Sequence, residues 1–496
     1  MSRLAAGVLA AAVLAAGGSV YALSNSTEPA PAETTVAEQV PTSEATLACP
    51  ESPQTKHTSM SLLAVAPRPT ADASVDASAD PGTLSVSPLG DPSKQLGTAS
   101  EIGVPVTRSL GVAHGPSVVA EATGRMSAGA AAFQSSVEDG EKHSGRAVAA
   151  CSAGSDDWWF NGADTSVGST SRLVLTNTTP AIAVVDVELF GPKGPSLTVG
   201  QRGIALAPDS RESLDLARFA PNLDTVTVHV LATEGLVTAA VETTRIDGVT
   251  PAGSEWLPPA SAPDTDVVID AAVDGSATQD LQIVNPADVG ALVQVQVIED
   301  TGPFVPAGLE SVRVAPGSVT TVKLGKISHN DPVSVRLTSS TAVTGAVVST
   351  AKGGADYAVS SPSPLLTGQA VLPVIPDVDL AVTFSGTSQQ STGQYKVAGF
   401  DQSGNQVFVD TVNVDGLRTG TWTPPTDDSN KGPKGPNKGR NKKPGDKATA
   451  VYLVITPSLD TDVQGIAVYS DKDGVAALPI VPGVFSVTRP SVTPGR

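Results

Sequence analysis

A repeat constrains this chain more than any motif in it. Leu173, Asn177, Val185, Val187, Gly194, Leu206, Pro208, Ser210 and Leu216 return 108 positions later. Their counterparts are Leu281, Asn285, Val293, Val295, Gly302, Val314, Pro316, Ser318 and Leu324. One offset holds through strand-like runs and through the Asn, Gly and Pro that punctuate them, so the repeated unit includes its turns. A unit of this length is too long for a solenoid repeat and fits a whole small domain. With 496 residues the chain has room for roughly three to five such domains.

The phase of each run gives the element type. Val185, Val187 and Leu189 alternate with Asp186 and Glu188, and Val226, Val228 and Val230 alternate with Thr227 and His229. That is strand period with one wet face, and it puts His229 on the surface. The second copy follows with Val293/Val295/Val297, Val312/Val314, Val322/Leu324, Val333/Val335/Leu337 and, as a separate strand, Val343–Val348. A third, less faithful copy holds Tyr395–Phe400, Gln406–Val412, Ala450–Ile455 and Val463–Tyr469. Gly129, in a small-residue run ending at Phe133, stands two periods before Gly345, so the irregular N-terminal region reads as an eroded further copy. Trp256-Leu257-Pro258, Val371-Leu372-Pro373 and Ala477-Leu478-Pro479 rhyme as module junctions, where an apolar pair before Pro would stiffen the join.

Many short strands, 47 Gly, 40 Pro and no helical periodicity define an all-β chain of tandem immunoglobulin-like or jelly-roll-like β-sandwich domains, after an N-terminal signal or anchor helix. The expected organisation is a signal peptide or single membrane anchor at 1–23 and a disordered Ser/Thr/Pro/Ala linker at 24–46. An irregular β domain at 47–155 and sandwich repeats at 156–253, 254–364 and 365–485 follow, with a tail at 486–496.

The N-terminus carries Arg3, an apolar run from Leu4 to Leu14, and small residues at Val20 and Ala22. Two readings stand: a signal cleaved after Ala22, or an uncleaved anchor over residues 4–23. Both place the bulk of the chain outside the cytoplasm, secreted or held at the plasma membrane. In an exported chain the two cysteines, Cys49 and Cys151, are expected to form a disulfide. Closing a loop of about 100 residues, it is worth roughly 4–5 kcal/mol in the chain-entropy model.

The net charge of −19 argues against specific nucleic-acid binding. Against it stands a basic stretch inserted in the third copy at 427–447, with Lys431, Lys434, Lys438, Arg440, Lys442, Lys443 and Lys447 spaced by Gly, Pro and Asn. It is either a polyanion-binding loop or a solvated insertion. Trp158 and Trp159, next to Phe160, are either a glycan-contact platform or packing at a junction.

No catalytic, cofactor or metal set emerges. Ser349 and Lys352 match an S-x-x-K pattern whose chemistry needs a helix, whereas the repeat puts Ser349 at a strand end. His57, His114, His143, His229 and His329 have no metal-ligand spacing, and the acidic pairs Asp264/Asp266, Asp460/Asp462 and Asp471/Asp473 are explained by turn chemistry.

Cys49-Pro50 after the linker, Cys151 shortly before Trp158-Trp159-Phe160-Asn161-Gly162, and the run from Leu173 to Gly194 together resemble an actinobacterial family of exported or membrane-anchored proteins, catalogued as a domain of unknown function. The resemblance spans most of the chain beyond the linker. It implies an extracytoplasmic setting and brings no activity, cofactor or catalytic residue. The expected function is therefore a non-enzymatic cell-envelope scaffold or interaction protein. Its partner would be an envelope protein, wall polymer or glycan, with membrane contact through the N-terminal segment if uncleaved. The alternative is a carbohydrate- or cell-wall-binding or processing accessory protein.

Overall fold

The computed structural model describes residues 38–51, 57–70, 80–111, 117–140, 143–196, 198–272, 278–324, 333–425, 449–458 and 462–489. The signal or anchor segment, the basic stretch from Lys431 to Lys447, His114, His329 and Asp460 lie outside them.

The chain divides into two units, residues 1–40 with 487–496, and residues 41–486. In the first, β1 (Glu38–Pro41) pairs with the last strand, Ser486–Arg489. The second holds four modules. Module 1 carries β2 (Glu44–Ala48), β3 (Thr58–Val65), β4 (Leu84–Pro88), β5 (Gly97–Ala99), β6 (Val106–Leu110), β7 (Val118–Thr123), β8 (Ala131–Asp139) and β9 (Ser144–Ala150). Module 2 carries β10 (Asp157–Ala163), β11 (Ser169–Asn177), β12 (Ala183–Gly191), β13 (Gly194–Ser196), β14 (Ile204–Leu206), β15 (Ser210–Asp215), β16 (Val226–Glu234), β17 (Thr238–Asp247), β18 (Thr250–Leu257) and β19 (Pro259–Ala260). Module 3 carries β20 (Asp264–Ala272), β21 (Thr278–Asn285), β22 (Ala291–Glu299), β23 (Gly302–Phe304), β24 (Val312–Val314), β25 (Ser318–Lys323), β26 (Val333–Thr350) and β27 (Tyr357–Ser360). Module 4 carries β28 (Ala370–Pro373), β29 (Asp379–Gly386), β30 (Thr392–Phe400), β31 (Gln406–Asp415), β32 (Thr419–Trp422), β33 (Tyr452–Pro457), β34 (Val463–Asp471) and β35 (Gly474–Pro479).

All four share one strand order. Their first sheets run β2-β7-β4-β5, β10-β16-β12-β14, β20-β26-β22-β24 and β28-β33-β30-β31. Their second sheets run β6-β3-β8-β9, β15-β11-β17-β18, β25-β21-β26-β27 and β32-β29-β34-β35. The irregular N-terminal region thus has the same topology as the regular copies.

The repeated residues hold this topology in place. Val185, Val187, Leu189, Val226, Val228 and Val230 are buried in the core of module 2, and Val293, Val295, Val297, Val333, Val335 and Leu337 in that of module 3. Asn177 Nδ2 donates to the carbonyls of Ala181 at 2.7 Å and Ala207 at 3.1 Å. Asn285 Nδ2 repeats this to Val289 at 2.7 Å and Ala315 at 3.1 Å. An amide here closes a turn whose buried carbonyls would otherwise lack donors, which explains its return at the same offset. Gly194 and Gly302 recur because both adopt positive φ, 119° and 123°.

Four expectations change. Val333–Leu337 and Val343–Val348 belong to one strand, β26, which pairs with β20 and β22 in one sheet and with β21 and β27 in the other. Residues 38–46, expected as the end of a disordered linker, instead hold β1 and the start of β2, where Glu44–Ala48 pairs with Val119–Thr123. The junction rhyme mixes two elements: Trp256-Leu257 and Ala477-Leu478 lie on last strands, β18 and β35, whereas Val371-Leu372 lies on a first strand, β28. The His229 side chain is 14% exposed rather than a free surface group. Its ring stacks on Trp159 with centroids 4.0 Å apart and hydrogen-bonds Asp157 and Glu188.

Candidate functional site

The four modules meet at the strands that close one edge of their second sheets. On one edge, β9, β18, β27 and β35 pair with β8, β17, β26 and β34 of their own modules. On the other, β9 lies against β18 and β35, and β27 lies against the same two, so the contacts run in a closed cycle. Apolar contacts seal the joins: Ala147 with Trp256, Leu257 with Val348 and Val359, Ala358 with Val475 and Ala477, and Val148 with the core of module 4. Converging edge strands bring backbone N–H groups that the sheets leave unpaired, and these need acceptors.

Two acids meet that need. Gly145, Gly253, Asp356 and Gly474 stand just before the level of Arg146, Ser254, Tyr357 and Val475 on the four edge strands, so one module carries a carboxylic acid where three carry glycine. Asp356 Oδ2 accepts the N–H of Val475 at 2.8 Å and that of Arg146 at 3.1 Å, from modules 4 and 1. A Cβ on Gly145 would stand 2.8 Å from Asp356 Oδ1, and one on Gly253 2.5 Å from it. The three glycines therefore form the cradle that the Asp356 side chain fills. Two residues along, the column reads Ala147, Glu255, Ala358 and Ala476, all buried, and again one module supplies an acid among small residues.

Burial dominates the chemistry of both acids. Asp356 is pushed up to about 7 by burial, which outweighs the N–H groups of Val475, Arg146, Tyr357 and Ser254. Glu255 is held well above the usual carboxylate range by burial and then by the neighbouring Asp356 charge, despite the N–H groups of Ala477, Trp256 and Val359. Among the described residues Asp356 Oδ1 and both Glu255 carboxyl oxygens are buried and accept no hydrogen bond of good geometry, although N–H groups face them.

The Asp356 end of the axis opens into a cleft of about 880 Å³ between modules 1, 3 and 4. Ser144, Lys352, Asp356, Asp379, Asp471 and Thr423 are among its lining. Arg146 Nε donates to Asp471 Oδ1 at 3.1 Å across this rim. Lys352, singled out with Ser349 in the sequence, lies on the lining. Ser349, however, is buried within β26, on a strand rather than a helix.

A third buried acid marks the join of modules 3 and 4. Phe160 and Ile269 occupy the same register position, pairing with Val228 and Val335, and each is followed by a bulge. Asn161 and Asp270 are therefore equivalent. Asn161 Nδ2 donates to Thr344 Oγ1 at 3.2 Å and to the Gly345 carbonyl at 3.0 Å in the next module. Asp270 accepts from Ser363 Oγ at 2.5 Å, its Oδ1 has no partner, and burial pushes it up to about 7.

Cys49 and Cys151 form a disulfide, reinforced by a bridge between Ala48 and Ser152. It joins the two ends of module 1. Trp159 is buried, stacked on His229 and on Phe190 at 6.0 Å. Trp158 is half-buried, stacks on Phe160 at 6.3 Å and donates its indole N–H to Val237 O at 2.9 Å. Neither ring is a free platform. Among the described residues no group of three or more His, Cys, Asp or Glu has the geometry of a metal site. Glu255 and Asp356 escape sequence reasoning because neither belongs to a motif. Gly145 and Gly253 stand one period apart, but the third module's spacing differs and hides the column.

Fold and site together define a tandem β-sandwich protein whose four modules close around a buried pair of acids. The chain belongs to the family of unknown function DUF5719, whose model matches residues 106–425. The match takes in β9, β18 and β27, three of the four strands at the axis. A search of the curated proteins finds no match.

Proposed function

We propose that this chain is a non-enzymatic extracytoplasmic scaffold of the cell envelope, a platform of four sandwiches that presents its inter-module cleft to an envelope protein or wall polymer. The observation that carries the reading is the closed cycle of apolar joins, which fixes four modules relative to one another instead of leaving them on linkers. The disulfide suits an oxidising compartment. The packing of Trp158 and Trp159 speaks against a sugar platform at those rings. The N-terminal segment, as signal or anchor, supplies export.

Proximity labelling in the native envelope, from a ligase fused after the last residue, tests this. Labelled neighbours should be envelope proteins or wall-linked material, and the same set should fall away when cleft residues Asp379 and Lys352 are replaced together. A labelled set drawn from cytoplasmic proteins would overturn the reading.

A further inference from the structure

Glu255 and Asp356 occupy successive levels of one axis, and among the described residues neither forms an ion pair. The charged and titratable groups around them are committed elsewhere. On β9, Arg146 is held by Asp471 of β34. On β17, Arg245 lies 4.0 Å above the Tyr357 ring and 3.6 Å from Asp164. On β27, the Tyr357 hydroxyl donates to the Thr243 carbonyl at 2.7 Å. In the cleft, Lys472 pairs with Asp473 at 2.8 Å, and Lys352 lines the wall without an ion pair among the described residues. The groups that face the two carboxyls are backbone N–H donors from all four modules. Such donors repel a metal ion, which needs oxygen, nitrogen or sulfur lone pairs. The cation that fits between two buried acids in this setting is a proton.

We propose that Glu255 and Asp356 are a proton-operated latch on the four-module axis: protonated, they let the four edge strands close, and loss of the protons as pH rises loosens the closure. Two ionised carboxyls side by side would each lose their hydration and would repel each other. The nearby buried cation, Arg146, is held by Asp471, and among the described residues neither carboxyl has a cation of its own to offset either term. The three glycines and three alanines around them leave no bulk to hold the strands apart, so the neutral pair fills the axis.

The direction follows from the raised position of both acids. In the closed form they hold protons at a pH where solvated carboxyls have lost them. Closure is therefore unpenalised below about pH 4, and the penalty grows as pH rises through about 7. From the Asp356 position alone, opening should rise roughly a hundredfold between pH 5 and pH 8.

Hydrogen exchange on the full chain, corrected for the intrinsic pH dependence, reads this directly. Amides of β9, β18, β27 and β35 should lose protection between pH 5 and pH 8, while the β3 and β12 amides keep theirs. The Glu255→Gln/Asp356→Asn double variant should show no such loss. If it does not fold, Glu255→Ala, which restores the residue of the other three modules, should remove part of the dependence. Equal axis protection at both pH values in the unaltered protein, or an undiminished dependence in a folded variant, would overturn the latch.

Discussion

Asp356 Oδ2 and the Val475 N–H, 2.8 Å apart, join module 3 to module 4 through a single side chain. Val475 follows Gly474, the counterpart of Asp356 in its own module. The acid of one copy is thus held by the backbone that its glycine counterpart leaves open. Divergence between repeats here is complementary: one copy gained a side chain, and the other three kept none.

Gly474→Ala should therefore be costly. Its φ is 152°, and the new Cβ would overlap Asp356 Oδ2 and stand 2.7 Å from Arg146 N. The expected loss is about 2–4 kcal/mol in chemical denaturation. Gly302→Ala, at φ 123° with nothing within 4 Å, isolates the backbone strain and should cost about 1 kcal/mol. Combining Gly474→Ala with Asp356→Gly should recover part of the loss, because the two changes act on one contact.

Asp270→Asn should make stability less dependent on pH. Asp270 sits where module 2 has Asn161, and burial raises it to about 7. A raised carboxyl stabilises the folded state most below its unfolded value near 4, and that contribution is lost as pH rises through 7. The amide can accept the Ser363 hydrogen bond without a charge to bury. Thermal melts should find the variant gaining about 2–3 kcal/mol on the unaltered chain between pH 5 and pH 8.

How far the sequence reached depended on whether a feature repeats. The phase of Val185, Val187 and Leu189 sets which face is buried, and Asn177 and Asn285 mark turns because one buried geometry needs an amide twice. The axis was hidden because it is built from exceptions. Arg146, Ser254, Tyr357 and Val475 are level in space, yet their spacings in sequence differ, since the loops between them vary in length. The continuity of β26 was hidden for a related reason: the polar residues Thr338–Thr341 look like a turn but lie within one strand, which changes sheet after Val343. His229 follows the polar phase of its strand, and only tertiary placement reveals the Trp159 ring beside it.

Glu51→Ala should destabilise the join of modules 1 and 2. Its side chain is 4% exposed and takes both Arg172, at Nη1 2.9 Å away, and Arg211. Arg172 also pairs with Glu242. Removing Glu51 takes away the Arg211 partner and leaves Arg172 with Glu242 alone. A loss of about 3–5 kcal/mol is expected in denaturant melts, because the cost lies in the charge left behind. Glu51→Gln, which keeps the shape and one acceptor, should lose less.

Removing the disulfide should act on module 1 before the rest. Cys49 and Cys151 are 102 residues apart and enclose every strand of module 1 from β3 to β9. Cross-linking so long a loop removes unfolded-state entropy worth about 4–5 kcal/mol. Met60, Leu62, Val86 and Met126 pack in the core that the bridge closes, so that core should open first. The Cys49→Ala/Cys151→Ala variant should lose amide protection in β3, β4 and β7 while modules 2 and 3 keep theirs. Non-reducing mass spectrometry of the unaltered protein should find the peptides carrying Cys49 and Cys151 joined, and the same digest under reductant should separate them. Uniform loss of protection across all four modules would instead mean that the closed cycle unfolds as one cooperative body.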